Sequence, residues 1–246
     1  MQELAIFLWS IMTSFVSVML GIGGGNFNVP FLTLFLGVDF KNAATASLLT
    51  ASLASLSASA YNRKKRVIDY KTAFVLVPPL ILGAVVGPFI PLPARYLEIL
   101  FGIVVLAFGI ITRMGIKIGL FHSRFGKKEM ILLAFLIGLL ASMIGIGGGI
   151  IIVPLLSIPL AMPMKKAVAT STFIIIFTTL TAFISQTLNG NFDISVALPM
   201  ALPVIFTGYV GAYFMHNKIR DEHLRKFFEL VLILLAGGML FRGILG

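Results

Sequence analysis

Residues 21–30 read GIGGGNFNVP, and residues 145–154 read GIGGGIIIVP. The two stretches are offset by 124 positions, and this offset holds without a gap from residue 21 to residue 87. It relates identical residues throughout that range: Lys41 and Lys165, Ser47 and Ser171, Asp69 and Asp193, Pro79 and Pro203, Gly87 and Gly211. An internal repeat of this length predicts a fold built from two copies of one unit.

The repeat divides the chain into three parts. Residues 1–115 form an N-terminal membrane repeat, residues 128–246 form a C-terminal one, and residues 116–127 form a basic cytoplasmic linker. Each repeat has the same predicted order of segments. A first helix ends at the glycine motif and is followed by a short apolar segment, which begins at Asn26 or Ile150. A long helix rich in Ser and Thr, a helix containing proline and a final apolar helix then follow.

The composition excludes an ordinary soluble domain. Of the 246 residues, 59% are hydrophobic and 11% are charged, and the mean hydropathy is +1.05. Soluble proteins carry about 25% charged residues and cannot hide this much apolar surface. We therefore predict an all-α integral membrane protein in contact with the lipid bilayer, with about eight to ten membrane segments.

The distribution of positive charge predicts that the two repeats have opposite orientations. The net charge of +10 comes from Lys and Arg in short connections, which is typical of cytoplasmic loops and not of a nucleic-acid interface. The basic loop follows the third segment of the first repeat, at residues 63–66, but the fourth segment of the second, at residues 218–226. A basic loop whose position differs between the two copies in this way is expected when the repeats have opposite orientations in the membrane. If these loops lie in the cytoplasm, Lys41, Arg95 and Arg242 are the only Lys or Arg residues outside it. We therefore predict a prokaryotic plasma (cell) membrane protein with both termini extracytoplasmic.

The glycine motifs interrupt helices at matching positions of the two repeats. Each glycine in a helix costs about 1 kcal/mol relative to Ala, and backbone freed from helical bonds in a membrane must be buried in protein or line a cavity. Paired interruptions, followed by helix N-termini with partial positive charge, indicate a transporter binding site for an anion. The alternative is close helix packing through small residues. We predict substrate contacts at six glycines: Gly23, Gly24, Gly25, Gly147, Gly148 and Gly149.

Polar side chains near the interruptions are further candidates. Hydroxyls and helix-terminal N–H groups bind an oxyanion without a buried lysine, and polar residues at membrane depth are hypotheses for functional sites. The alternatives are that Ser and Thr bond their own helix backbone and that Asn26 caps a helix. We interpret Asp69 and Asp193 as helix N-caps and not as proton carriers. The side chains that we predict to contact substrate are Asn26, Asn28, Thr45, Ser47, Thr170, Ser171, Thr172 and Gln186.

The residues of familiar catalytic sites are absent from the sequence. It contains no cysteine and three histidines, which lie in polar connecting segments. It has no HExxH, GxSxG or Walker-type phosphate-binding motif. We predict that the protein is not an enzyme, has no catalytic residue, and needs no cofactor or metal.

The chain resembles the TauE/SafE family, also called the four-toluene sulfonate uptake permease group, over nearly its whole length. The resemblance is carried by two copies of GIGGG-x-x-x-V-P, by the helix starts NAATAS and KAVATST, and by an Asp before each proline-bearing helix. It implies a secondary transporter of small sulfur-containing anions, such as sulfite, sulfoacetate or another organosulfonate. It also implies roles for Pro30, Pro154 and the Ser/Thr helix starts. One departure is Ile194, where the family often has an aromatic residue, and this leaves the substrate open.

Three other functions fit the same pattern. They are a passive anion channel, a permease for a non-sulfur carboxylate, and a membrane subunit that needs a separate ATPase. Inverted repeats favour alternating access around a midplane site. A proton or a sodium ion is equally compatible as coupling ion, and the direction of transport and the oligomeric state stay open.

Overall fold

The computed structural model describes residues 2–23, 25–90, 94–113, 127–144 and 147–245. Gly24, Gly145, Ile146 and residues 116–126 of the predicted linker lie outside these ranges. In the first repeat the described residues form α1 (Gln2–Leu20), α2 (Gly25–Leu36), α3 (Phe40–Lys64), α4 (Tyr70–Val86), a 3₁₀-helix (Gly87–Phe89) and α5 (Ala94–Arg113). In the second repeat they form α6 (Lys127–Ile144), α7 (Gly149–Ser157), α8 (Met164–Leu188), α9 (Ile194–Lys218) and α10 (Asp221–Leu245).

The predicted helix breaks at the glycine motifs are confirmed. After α1 the chain passes through the left-handed region at Gly21 and Gly23, with φ angles of 66° and 73°. Before α7 it does so again at Gly147 and Gly148, with φ angles of 74° and 76°. L-residues with a Cβ rarely adopt this conformation, so glycine is required at these turns. Both short helices begin one residue earlier than predicted.

The short helices do not cross a bilayer by themselves. With 12 and 9 residues, α2 and α7 extend about 18 and 14 Å, against a hydrocarbon core of about 30 Å. The Oγ1 atom of Thr13 in α1 is hydrogen-bonded to Asn28 in α2. Since these residues lie on opposite sides of the first glycine motif, α2 folds back along α1 and the two form a helical hairpin.

Carboxylates begin several helices, as the sequence predicts. The side chain of Asp69 accepts a hydrogen bond from the backbone N–H of Thr72 at 3.1 Å and caps α4. Asp193 caps α9 by accepting from the backbone N–H of Ser195 at 2.8 Å. The predicted N-cap roles of both aspartates are confirmed, and both carboxylates lie at helix ends.

The exterior of the helical bundle is apolar, as expected for a protein surrounded by lipid. Among the described residues, α1, α3, α8 and α9 are long and apolar enough to cross a membrane by length and composition. Ser and Thr side chains of α1, α3 and α8 are buried, while large apolar side chains are exposed, which reverses the pattern of a soluble protein. Together these features confirm the predicted all-α membrane fold. Examples of the exposed apolar side chains are Leu8, Phe74, Leu82, Leu132, Leu198, Phe206 and Leu234.

Helices of the two repeats pack against one another in matching pairs. Helix α1 packs on α9 as α6 packs on α4, and α3 packs on α9 as α8 packs on α4. The short helices pack on α3 and α8, respectively, and the remaining large contacts join α3 to α8 and α5 to α10. Each of these larger contacts therefore has a counterpart, or is its own counterpart, when the repeats are exchanged. This pattern is the one expected from two inverted repeats; the inverted orientation itself stays a prediction.

Candidate substrate-binding site

The two glycine motifs meet inside the bundle. A methyl group added at Gly149, the first residue of α7, would lie 2.5 Å from the carbonyl oxygen of Gly21 and 2.8 Å from the carbonyl carbon of Ile22. One added at Gly21 would lie 2.9 Å from the carbonyl oxygen of Val168 in α8. These approaches leave no room for a side chain, so the packing role that was the alternative interpretation of the glycines is present at both positions.

Helix α8 hydrogen-bonds to both glycine motifs. Ser171 Oγ donates to the carbonyl oxygen of Gly21 at 2.8 Å. Thr178 Oγ1 lies 3.2 Å from the carbonyl oxygens of Gly147 and of Ile175, either of which can accept its single hydrogen. Seven residues separate the two hydroxyls, so they lie on one face of α8, two turns apart and on either side of its midpoint. The motifs therefore meet near half the depth of the bundle.

Most of the other predicted hydroxyls have partners elsewhere. Thr45 Oγ1 donates to the carbonyl oxygen of Lys41, and Thr172 Oγ1 donates to that of Val168, each within its own helix. Thr170 Oγ1 accepts a hydrogen bond from the backbone N–H of Asp69 at 3.0 Å. These three hydroxyls follow the alternative interpretation, in which Ser and Thr satisfy backbone groups. Ser47 differs, since its Oγ is buried and has no hydrogen-bond partner in the described residues.

Asn28 joins three helices of the first repeat in a buried polar contact. Its Oδ1 accepts from Thr13 Oγ1 of α1 at 2.8 Å, and its Nδ2 donates over a longer 3.4 Å to Thr50 Oγ1 of α3. Ser17 lies one turn from Thr13, and its Oγ has no partner in the described part of the chain. Thr13, Ser17, Asn28 and Thr50 are 1–2% exposed. We call these four residues the α1–α3 polar cluster.

The unpaired hydroxyl groups in this region are costly for the folded protein. A buried donor without a partner costs about 1–3 kcal/mol, and the lipid surroundings offer no water as a substitute partner. Ser17 and Ser47 both belong to this class. Such side chains are expected to persist where a ligand uses the donor.

Thr13 and Ser17 were not among the residues predicted from the sequence. A signal was present, because Ser10, Thr13, Ser14 and Ser17 recur at helical spacing on one face of α1. All four side chains are buried. A polar stripe facing inward on an otherwise apolar helix indicates a contact with polar groups of the bundle.

The other predicted residues lie apart from the cluster or outside the described residues. Gln186 lies in the last turn of α8, where its Oε1 accepts from Asn191 Nδ2 at 3.2 Å. Along the helix this is about 22 Å from Ser171. Asn26 lies in the first turn of α2, and Gly24 falls outside the described residues.

An ion pair lies between α8 and the start of α4. Lys166 Nζ is 3.2 Å from Asp69 Oδ2, and the Asp69 side chain is 24% exposed. Partial burial acts to raise the pKa of Asp69, but the hydrogen bond from the N–H of Thr72 and the contact with Lys166 outweigh it and lower the pKa below the ordinary 3.8. Asp69 is therefore ionised at neutral pH. Among the described residues no group of three His, Asp or Glu side chains could hold a metal ion.

Comparison with known proteins agrees with this architecture. The model of the family "Sulfite exporter TauE/SafE" matches residues 6–239. The chain belongs to the TauE/SafE family. This confirms the resemblance carried by the doubled glycine motif, and the protein is accordingly a multi-pass membrane transporter and not an enzyme. A transporter of this family acts on a small-molecule substrate from within the lipid bilayer.

Individual relatives of this TauE/SafE protein come from bacteria, archaea and plants. It is 26% identical to the probable membrane transporter protein YunE of Bacillus subtilis, over 93% of this chain and 94% of the relative. It is 32% identical to the probable membrane transporter protein MJ0441 of Methanocaldococcus jannaschii, over 83% of each chain. It is 38% identical to sulfite exporter TauE/SafE family protein 3 of Arabidopsis thaliana, over 27% of this chain and 16% of the relative. No solved structure matches it.

Proposed function

We propose that this protein is a secondary transporter of a small sulfur-containing anion, namely sulfite, sulfoacetate or another organosulfonate. The observation that carries the proposal is the contact between Gly149 and the carbonyl oxygen of Gly21. It brings the matching helix interruptions of two repeats together near half the depth of the bundle, which is where repeat-built transporters bind substrate. The choice of a sulfur-containing anion is based on the family description, which refers to sulfite export.

The proposed binding site contains the glycines of both motifs together with polar side chains around them. The predicted contacts at Gly23, Gly24, Gly25, Gly147, Gly148 and Gly149 are kept in this proposal, as are those of Asn26, Asn28 and Ser47. Ser171 has a supporting role, because it holds the carbonyl of Gly21. Because the side chains of Thr45, Thr170, Thr172 and Gln186 have partners elsewhere, we leave these four out of the proposed site.

Alternating access is the proposed mechanism, with residues 1–115 and 128–246 as oppositely oriented repeats joined by the linker. The pairwise packing of the helices supports this division. The distribution of basic residues supports the orientation. Lys65 bonds Asn217 at the end of α9, and Lys165 Nζ donates to the carbonyl oxygen of His216. The basic residues that end α3, begin α8 and end α9 therefore share one end of the bundle, which we assign to the cytoplasm. Both termini are then extracytoplasmic, in a prokaryotic plasma membrane.

The test is transport by the purified protein in liposomes. We expect saturable exchange of labelled sulfite or sulfoacetate, driven by unlabelled anion on the other side and absent for acetate and chloride. Exchange of acetate without any sulfur anion would overturn the substrate assignment. Flux that rises without saturation and shows no exchange would overturn the carrier mechanism and indicate a channel. Dependence of the rate on an imposed proton or sodium gradient identifies the coupling ion.

A glycine variant links transport to the proposed site. Gly149→Ala places a methyl group against Gly21 and Ile22, so it is expected to abolish exchange while the protein still inserts in the membrane. Gly237→Ala is the matched control, because nothing lies within 4 Å of a methyl group added there in α10. Equal exchange by the two variants would remove the glycine contact from the transport site.

A further inference from the structure

The two glycine motifs have different surroundings. In the second repeat a methyl group at Gly148 would lie 3.1 Å from Ala141 Cβ and 3.4 Å from Ile137 Cγ2. The positions 124 residues earlier, on α1, are Ser17 and Thr13. The face of α6 that abuts Gly148 is therefore apolar, while the corresponding face of α1 carries hydroxyls.

The rest of the α1–α3 polar cluster follows the same rule. Asn28 corresponds to Ile152, and Thr50 corresponds to Ile174. Both isoleucines are fully buried in the apolar core. Four polar residues that contact or neighbour one another in the first repeat thus correspond to four apolar residues in the second. These four positions therefore do not form two equivalent polar sites.

The α8 hydroxyls that face the glycine motifs already have partners, while two buried hydroxyls of α1 and α3 have none in the described residues. Ser171 and Thr178 bond carbonyl oxygens of the polypeptide. Ser17 and Ser47, by contrast, have buried hydroxyls without a partner in the described residues. Asn28 Nδ2 uses one of its two hydrogens on Thr50. Three donors, from α1, α2 and α3, are consequently available to a ligand.

No charged side chain lies close to the cluster on its own helices. α2 contains none, and the nearest charged residues in sequence are Glu3 on α1 and Lys41 on α3. Both are at least about 13 Å from the cluster along their helices. Asn28 belongs to the first turn of α2, where free N–H groups and the helix dipole favour negative charge. A ligand here meets neutral donors and a helix N-terminus, which suits a small oxyanion with several acceptor oxygens.

We infer that the protein has one anion site and not a symmetric pair. The α1–α3 polar cluster of the first repeat, together with the neighbouring Ser47 on α3, forms it by binding a small oxyanion through neutral donors, with Ser17 and Ser47 contributing hydroxyls. This inference rests on the proposed transport of a small anion and adds the location of the site and the chemistry of recognition.

The experiment compares two buried serines on the same helix. Ser17→Ala removes an unpaired hydroxyl of the cluster. Ser10→Ala is the matched control, since Ser10 is equally buried but donates to the carbonyl oxygen of Phe7 at 2.8 Å. Binding is measured by calorimetry on the purified full chain with sulfite, sulfate, thiosulfate, sulfoacetate, phosphate, nitrate and chloride. Ser17→Ala is expected to weaken oxyanion binding about ten- to a hundredfold, as for the loss of a hydrogen bond to a charged group.

A second variant tests the same cluster independently of any folding defect in Ser17→Ala. Thr13→Val keeps the shape of the side chain and removes the hydroxyl that bonds Asn28 Oδ1, so it is expected to weaken the same anions without changing chloride. Ser10→Ala is expected to bind as the unmodified protein does. Equal affinities of Ser17→Ala and Ser10→Ala for every oxyanion would overturn the inference.

The outcomes separate this inference from the proposed function. Binding of sulfur oxyanions that is insensitive to Ser17→Ala and Thr13→Val leaves sulfur transport standing and overturns the α1–α3 site. Ser17-dependent binding of phosphate or nitrate without any sulfur anion supports the site and overturns the proposed substrate. Absence of binding by all oxyanions overturns the inference that neutral donors form an oxyanion site.

Discussion

Ser14 and Thr207 hydrogen-bond through their hydroxyls where α1 packs on α9, at the positions that Gly138 and Gly83 occupy where α6 packs on α4. The two crossings are related by the offset of 124 but are held together differently. A methyl group at Gly83 would overlap the backbone of Phe135, and one at Gly138 would overlap that of Leu80. At this pair of positions, one crossing therefore has close backbone contact and the other has a side-chain hydrogen bond.

This difference predicts unequal costs of substitution at the two crossings. Gly83→Ala forces α4 and α6 apart and is expected to lower the free energy of unfolding by about 1–3 kcal/mol, as for an overpacked core. Ser14→Ala loses one hydrogen bond between membrane helices, worth about 0.6 kcal/mol on average. Thermal denaturation in detergent measures both, with Gly237→Ala as a control in open space. A smaller effect of Gly83→Ala than of Ser14→Ala would contradict the close packing at this crossing.

The bond from Ser171 to Gly21 predicts a second effect. Ser171→Ala leaves the Gly21 carbonyl oxygen without its partner from α8, and this loosens the first glycine motif. We expect a loss of about 1 kcal/mol of stability together with a clearly reduced rate of anion exchange. Thr172→Val is the control on the neighbouring position, because the hydroxyl of Thr172 only bonds its own helix. If both variants exchange anion at the same rate, the Ser171 bond has no part in transport.

The lowered pKa of Asp69 predicts how the stability of the folded protein depends on pH. Its pKa is lowered in the folded protein below the ordinary 3.8, so the folded state holds this proton less tightly than the unfolded state does. Its stabilising contribution is complete above pH 3.8 and is lost as the pH falls through the lower folded pKa. Thermal denaturation from pH 7 to pH 3 should show a smaller acid-induced loss in Asp69→Asn than in the unmodified protein. An identical pH profile for the two proteins would show that Asp69 does not contribute.

Hydrogen bonds between α3 and α9 at their shared basic end are predicted to keep this end of the bundle closed. Asn62 Oδ1 lies 2.9 Å from His216 Nε2, and Asn217 Nδ2 donates to Tyr61 Oη at 2.6 Å. These bonds join the first repeat to the second, so Asn217→Ala should favour opening at this end. The sequence contains no cysteine, so a single cysteine at the buried Ala58 of α3 can report on access.

In membrane vesicles, maleimide should label this cysteine faster when Asn217→Ala is also present. Asn189→Ala is the control at the opposite end, since Asn189 bonds only its own helix end. Equal labelling with and without Asn217→Ala would indicate that this contact does not restrict access.

Local features of the fold could be predicted because their causes are local. The helix breaks depend on left-handed backbone conformations that glycine favours, at Gly21, Gly23, Gly147 and Gly148. Asp69 and Asp193 bond N–H groups two or three residues away. The 124-residue offset predicted two copies of one structural unit from the sequence alone.

The candidate site was only partly predictable. Asn28 was predicted from its polarity at membrane depth and Ser47 from its hydroxyl near a helix start beside the glycine break. Both lie in or beside buried polar contacts. Thr13 and Ser17 were missed, although their helical spacing placed them on one face of α1. Thr170 and Thr172 appeared equivalent to Ser171 by type, but adjacent residues of a helix point in different directions, and each met a different partner.

By itself, the sequence determined the membrane fold, the two repeats, the helix breaks and the family, because composition, periodicity and glycine conformation act over a few residues. Only the tertiary structure decided which groups meet. Ser171 bonds the carbonyl of Gly21 across 150 positions of the chain. Ser17 has no partner among the described residues, while its counterpart Ala141 packs on Gly148. The pairing of a polar group depends on the geometry of helix packing, which no local pattern specifies.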